Sequence, residues 1–160
     1  MISLTHGVVS IDSIANIIRN DVKLHPGEYR VTIGTDSQNF DETKVVVVIA
    51  VHRVGRGGYF FYDVSHVRRI TNVGQKLLYE TQLSLQYAEQ LVAAFARLEN
   101  ETGDNIMDDV DFSIHVDAGK NGPSRQVVPE IVGWISACGY RVVIKPDSFA
   151  ASSIADRISK

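Results

Sequence analysis

A short segment rich in β-branched residues that ends in an aspartate, residues 30–38, constrains the fold of this chain most strongly. Valine, isoleucine and threonine favour a pleated strand, and a glycine and an aspartate interrupt the apolar pattern at its end. Because side chains alternate along a strand, Asp36 shares its face with Thr32 and Gly34, which are small. We expect another element to approach this face closely. Asp36 alone is also compatible with a simple turn cap, so a chemical role requires acidic partners.

The rest of the chain predicts an α/β fold. The expected elements after the first strand are strands at 44–54 and 59–64, a helix over 74–100, a strand over 111–117, a helix over 124–138, a strand over 140–144 and a terminal helix over 148–159. The glycine-rich turn between the second and third strands is typical of a hairpin, so the first three strands form an antiparallel meander. The remaining strands alternate with helices, which indicates right-handed crossovers and parallel pairing.

The predicted architecture is a mixed five-stranded sheet, made of the three-strand antiparallel meander and two parallel strands, with helices on both faces. An amphipathic helix over residues 10–23 adds a layer before the sheet, so residues 1–27 form an N-terminal helical extension. A chain of 160 residues is expected to form one domain, which we assign to residues 1–160.

Composition excludes several classes of protein. The formal net charge of −3 excludes a generally basic nucleic-acid-binding chain, so contact with a polyanion needs a local basic patch. Cys138 is the one cysteine, which excludes an internal disulfide and a cysteine-rich zinc site. The first residues lack the pattern of a signal peptide, and the longest apolar run, residues 45–51, is too short to span a bilayer. We therefore expect a cytoplasmic protein without a membrane partner.

Three acidic residues occupy positions where a carboxylate is unusual. Glu80 lies within the apolar arc of the long helix, and a buried carboxylate is costly without an ionic partner. Asp117 lies at the end of a strand, as Asp36 does, and the ends of parallel strands meet at the edge where α/β sheets bind ligands. The long helix is expected to cover the face of Asp36, so all three carboxylates would converge. Crowded carboxylates need cations, and hard oxygen ligands suit Mg²⁺ or Mn²⁺.

With these features in place, the chain resembles the ribonuclease H-like superfamily from about residue 28 onward. The segments Ile33 to Gln38 and His115 to Gly119 are similar to the small YkuK-like family within it. The resemblance implies that Asp36, Glu80 and Asp117 are the catalytic metal ligands. The segment Ile154 to Ser159 is similar to the family's final-helix pattern, which makes Asp156 the fourth catalytic ligand.

The chain departs from the family pattern in two respects. Asp156 falls away from the apolar stripe of its helix, so it is also compatible with a solvated surface residue, and Asp147 is then the substitute ligand. The histidine-bearing loop that precedes the last helix in some ribonucleases H is missing. His115 shares a strand face with Asp117, and it either orients a ligand, contacts substrate or is a hydrogen-bonded core residue.

The resemblance implies two-metal hydrolysis of phosphodiester bonds, in which one ion activates a water and the other stabilises the leaving oxygen. Asp36 would bridge both ions. The expected partner is RNA or DNA. The side chains expected to contact it are Ser37, Gln38, Arg68, Arg69, Lys76, His115, Lys120 and Arg125. The arginines and lysines among them are equally compatible with ordinary surface charges.

A second function class is a binding module on the same scaffold that holds nucleic acid or a protein without cleaving it. The related sugar-kinase and actin-type ATPases need two such domains and phosphate-binding glycine loops, for which 160 residues leave no space. A phosphatase of the Asp-x-Asp-x-Thr type is excluded because that motif is missing after every predicted strand. The sequence does not distinguish RNA, DNA, hybrid or branched substrates.

Overall fold

A computed structural model of the protein describes residues 1–148, and it has the mixed α/β architecture that the sequence predicts. Its strands are β1 (Ile2–Ser3), β2 (Gly7–Val8), β3 (Tyr29–Asn39), β4 (Thr43–Arg53), β5 (Gly58–Val67), β6 (Val110–His115) and β7 (Arg141–Val143). Its helices are α1 (Ile11–Leu24), α2 (Val73–Thr102), α3 (Ile106–Asp109) and α4 (Val128–Ala137). None of these helices combines the length and apolarity required to cross a bilayer.

The strands form one sheet in the order β2-β1-β5-β4-β3-β6-β7. The predicted meander of β3, β4 and β5 is antiparallel, whereas β6 pairs with β3 and β7 pairs with β6 in parallel. The five predicted strands are therefore confirmed. Two short strands were not predicted, and they add to the edge of β5 through the pairing of Ile2 with Tyr62. Strands of two residues carry no periodicity, so the N-terminal extension is not purely helical as expected.

The described helices bury their apolar residues against one face of the sheet, which carries Val31 and Ile33. The prediction that the long helix covers the face of Asp36 is wrong. Thr35 lies on the opposite face of β3, and its Oγ1 is 2.8 Å from Oγ of Ser84 in α2. The reason is that the Val31 and Ile33 face offers more apolar surface for the helix to bury.

The other face of the sheet carries a smaller apolar cluster. Its fully or largely buried members are Val46, Val48 and Ala50 of β4, with Phe60 and Tyr62 of β5 packed beside them. The terminal helix predicted over residues 148–159 lies almost entirely outside the described residues. Helices on this second face therefore stay a prediction.

Helix boundaries follow from side-chain caps that the sequence supplies. Oγ of Ser10 accepts a hydrogen bond from the amide of Ser13 and begins α1, and Oδ1 of Asn72 accepts from the amide of Gln75 and begins α2. Gly103 ends α2 in the left-handed region at φ 79°, where a glycine costs least. Because α2 begins at Val73, Glu80 lies at the end of its second turn, on the buried side of the helix.

Asp21 connects α1 to the sheet through a buried polar cluster. Its Oδ2 accepts hydrogen bonds from Nε of Arg53 at 2.8 Å and from the hydroxyl of Tyr59 at 2.9 Å. The hydroxyl of Tyr29 lies 3.3 Å from Oδ1 of the same carboxylate. Burial alone would raise the pKa of Asp21, but the hydrogen bonds and the charge of Arg53 lower it below its ordinary value. The carboxylate is therefore charged and fully engaged in holding the helix.

Candidate functional site

Three acidic side chains from distant parts of the chain line one cavity at the carboxyl edge of the sheet. Pairing between β3 and β6 ends at Gly34 and His115, so β3 extends past its neighbour and presents Asp36 beyond it. The turn after β6 carries Asp117, and α2 brings Glu80 from the helical side. The cavity that these carboxylates line has a volume of about 480 Å³. The predicted convergence of the three residues is therefore present.

Glu80 is the most perturbed of the three carboxyl groups. Glu80 is 7% exposed, and its Oε1 accepts a hydrogen bond of 3.3 Å from the hydroxyl of Ser37. Burial raises the pKa of Glu80 to about 8, and the negative charges of Asp36 and Asp117 contribute to the rise, against the opposing charge of Lys76. The carboxyl group is therefore mostly protonated at neutral pH.

Asp36 is half-buried, and its Oδ1 accepts a hydrogen bond of 2.9 Å from the amide of Ser37. A backbone donor to one oxygen fixes the orientation of the carboxylate. The side chain that follows it, Ser37, contacts Glu80. Consecutive residues of β3 thus orient two of the acidic groups.

Asp117 has a cationic partner that the sequence analysis missed. Nζ of Lys145 lies 2.9 Å from Oδ1 of Asp117, and the backbone amide of Lys145 donates to the carbonyl of Ala118 at 3.0 Å. Gly119 permits this approach, because a Cβ at that position would lie 3.1 Å from Cβ of Lys145. Lys145 follows a short strand and precedes a proline, a context without any sequence signal for a site residue.

The donor set suits a divalent cation, but the residues are not arranged as a finished metal site. Carboxylate oxygens are the ligands that Mg²⁺ and Mn²⁺ prefer, and Asp36, Glu80 and Asp117 bring such oxygens to one cavity. Within residues 1–148, however, no group of three or more Asp, Glu, His or Cys side chains is close enough to hold a metal ion. The chemistry of the cavity therefore fits the expected ions, while their binding stays a prediction.

The predicted nucleic-acid-binding residues do not all lie at the acidic cavity. Lys76 and Lys120 line the acidic cavity together with Ser37. Arg125 lies in an adjoining groove, which it shares with Lys120. The remaining residues of the prediction lie elsewhere, with Gln38 on β3, and Arg68 and Arg69 exposed after β5, where Arg69 donates to the carbonyl of Phe40.

His115 and Asp147 line a different and larger cavity, of about 840 Å³, on the face opposite the described helices. Burial and the charge of Arg141 lower the pKa of His115 to about 4, so its ring is neutral at physiological pH. Its buried Nδ1 has no hydrogen-bond partner among the described residues, so the expected hydrogen-bonded core role is not met at this atom. The residue also borders a space of about 10 Å³ beside Glu80 and Asp117.

Neither candidate for the fourth carboxylate lines the acidic cavity among the described residues. Asp147 is exposed and does not join the three acidic residues in their cavity. Asp156 lies outside the described residues. The fourth ligand therefore stays a prediction for Asp156, with Asp147 as its substitute.

A family model described as ribonuclease H-like matches residues 11–160, which is most of the chain. The chain belongs to the ribonuclease H-like family. It is also 30% identical over 166 aligned residues to the uncharacterized protein YkuK of Bacillus subtilis (strain 168), with 99% of this chain and 95% of the relative covered. The YkuK-like assignment made from the sequence is thereby confirmed. No solved structure matches the chain.

Within this ribonuclease H-like fold, the three acidic residues occupy the end of the first strand of the meander, the helix that follows the meander, and the turn after the strand parallel to the first. These are the positions that the family resemblance assigned to Asp36, Glu80 and Asp117. Their roles as metal ligands stay a prediction.

Proposed function

We propose that this ribonuclease H-like protein is a metal-dependent nuclease that hydrolyses phosphodiester bonds of nucleic acids. The observation that carries the proposal is the convergence of Asp36, Glu80 and Asp117 on one cavity, where burial and the charges of the two aspartates raise the pKa of Glu80 to about 8. A protein that only needed stability would not maintain an acidic group in this environment without a compensating cation. The expected ligands of that cation are these carboxylates, with Asp156 as the fourth.

Bound Mg²⁺ or Mn²⁺ ions, two in the mechanism expected of this fold, would supply Lewis-acid charge to the reacting phosphate and to water. The chain's own residues orient the carboxylates. The amide of Ser37 holds Asp36, and its hydroxyl holds Glu80. Glu80 has to lose its proton before it can serve as a ligand, so we expect metal binding to strengthen as the pH rises toward 8.

Positive charge at the cavity supports nucleic acid as the substrate despite the net charge of −3. Lys76, Lys120 and Lys145 all line the cavity that holds the three carboxylates. Lysine side chains contact backbone phosphates without reading the bases. These three lysines form the local basic patch that a chain of negative net charge needs for contact with a polyanion. They predict that nucleic-acid binding weakens as the salt concentration rises.

The test is cleavage of a panel of single-stranded, duplex, hybrid and branched nucleic acids in Mn²⁺ and in Mg²⁺, with a chelator as the blank. We expect Asp36→Asn to reduce Mn²⁺-dependent cleavage by at least about 100-fold, a size typical for loss of a group that stabilises transition-state charge. Asparagine keeps an oxygen that can accept from the amide of Ser37, so the fold is expected to persist. Asp41→Asn is the matched control, because Asp41 is exposed in the turn after the same strand.

Cleavage that is equal in wild type and Asp36→Asn would come from a contaminant or another site and would contradict the proposal. Absence of cleavage across the whole panel, with nucleic-acid binding retained, would instead favour the second candidate, a non-catalytic binding module. One observation favours that module: Lys145 already neutralises the carboxylate of Asp117. The same panel therefore separates the two functions.

A further inference from the structure

The ion pair between Lys145 and Asp117 is weak enough for either partner to be replaced by a ligand. The two atoms are 2.9 Å apart, yet the side chain of Lys145 is 57% exposed and that of Asp117 is 23% exposed. Exposed ion pairs contribute only about 0 to 1 kcal/mol, because water solvates both partners and screens their attraction. A divalent cation or a phosphate in the cavity can therefore displace either partner at small cost.

The backbone of Lys145 is held much more firmly than its ammonium group. Its amide donates to the carbonyl of Ala118, and Gly119 lies against its Cβ and carbonyl. The next turn is closed by the amide of Asp147, which donates to the carbonyl of Ile144 at 3.0 Å. The backbone and Cβ of Lys145 are thus fixed on the cavity wall. The four methylene groups of its side chain allow the ammonium group to move within the cavity.

We propose that Lys145 is a phosphate-positioning residue that stays on Asp117 until the site is loaded. The inference rests on the proposed function, because the group that the ammonium of Lys145 would contact is a phosphate of the nucleic-acid substrate in the same cavity. Asp117 would hold a cation in place of Lys145, and the ammonium of Lys145, once released, would contact a substrate phosphate beside Lys76 and Lys120. No covalent step is involved, and the three ammonium donors match the oxygens of a phosphate.

The inference predicts opposite effects of one substitution on two ligands. In Lys145→Met, we expect the affinity for Mn²⁺ alone, measured by titration calorimetry, to rise about fivefold, the equivalent of one exposed ion pair. We expect the affinity for a short single-stranded DNA in Ca²⁺ to fall by about threefold to tenfold, with a shallower salt dependence, because one phosphate contact is lost. Lys145→Arg keeps the charge and should restore binding of the DNA.

Lys23→Met is a closely matched control. Nζ of Lys23 is also 2.9 Å from an aspartate, Asp104, and its side chain is 51% exposed, but it lies on α1 away from the cavity. It should change neither affinity. A structural role for Lys145 would weaken Mn²⁺ binding or leave it unchanged, and either result would overturn the inference.

These outcomes are distinct from failure of the proposed function. If wild type binds Mn²⁺ and cleaves nucleic acid while Lys145→Met behaves like wild type, the inference about Lys145 is wrong and the nuclease proposal stands. If wild type does not bind Mn²⁺ at all, the nuclease proposal and this inference are both wrong.

Discussion

Glu80→Gln is expected to stabilise the metal-free protein against unfolding by about 3 kcal/mol near pH 7.5, and to leave its stability near pH 5 almost unchanged. The pKa of Glu80 rises from an ordinary value of 4.5 to about 8 in the folded protein. Between these values the folded state binds a proton that the unfolded state has lost, so the free energy of unfolding falls as pH rises. The stability present below pH 4.5 is lost by about pH 8. Glutamine cannot ionise and removes this loss.

The measurement is urea unfolding of wild type and Glu80→Gln at a series of pH values in the presence of a chelator. Glu89→Gln serves as the control, since Glu89 is an exposed residue of the same helix and its replacement should leave the pH profile of wild type intact. Parallel profiles for wild type and Glu80→Gln would show that Glu80 is not the buried proton-binding group described above.

Added Mn²⁺ should distinguish a metal ligand from a buried acid without function. In wild type at pH 8, we expect Mn²⁺ to raise the unfolding midpoint, because an ion that binds only the folded state stabilises it by mass action. This increase should shrink at pH 6, where Glu80 is protonated, and it should be much smaller at both pH values in Glu80→Gln. An equal increase in the two proteins would remove Glu80 from the set of ligands.

Asp21→Ala is expected to destabilise the protein by about 2 kcal/mol, because it leaves two tyrosine hydroxyls without this acceptor and the partly exposed Arg53 without its ion partner. Asp21 is 8% exposed, and its loss would deprive Arg53, Tyr59 and Tyr29 of a shared acceptor. The attachment of α1 to the sheet would be weakened, whereas the acidic cavity at the opposite end of β3 would be preserved. We therefore expect reduced thermal stability with any Mn²⁺ affinity retained.

Asp12→Ala provides the comparison for Asp21. Asp12 also lies on α1 and pairs with an arginine, Arg97, at 2.6 Å, but both side chains are exposed. Its loss should cost no more than about 1 kcal/mol, including its contribution at the start of the helix. Chemical denaturation near pH 7 measures both variants.

The effect of Asp21→Ala should also depend on pH. Because the pKa of Asp21 is lowered in the folded protein, its stabilisation is present above the unfolded pKa and is lost as pH falls through the folded pKa. The difference between wild type and Asp21→Ala should therefore shrink in acid. Equal costs for Asp12→Ala and Asp21→Ala near pH 7 would mean that burial adds nothing to this ion pair.

The sequence identified the strands of the meander and the long helix because local patterns specify them. Valines in β4 mark a strand buried on both faces, and the apolar periodicity of α2 marks its length and reveals Glu80 as a carboxylate on a buried arc. The terminal aspartates Asp36 and Asp117 were visible for the same reason, since each follows an apolar run. Resemblance to the ribonuclease H-like family then connected these residues.

The tertiary structure decided which face of β3 the long helix covers and which cation meets the acidic residues. Alternation defines two faces of a strand but does not tell which one a helix will bury, and here the Val31 and Ile33 face was covered rather than the face of Asp36. Lys145 contacts Asp117 from 28 residues farther along the chain, through a turn with no periodic pattern. Such contacts depend on how separate elements pack together, so they cannot be derived from local propensities alone.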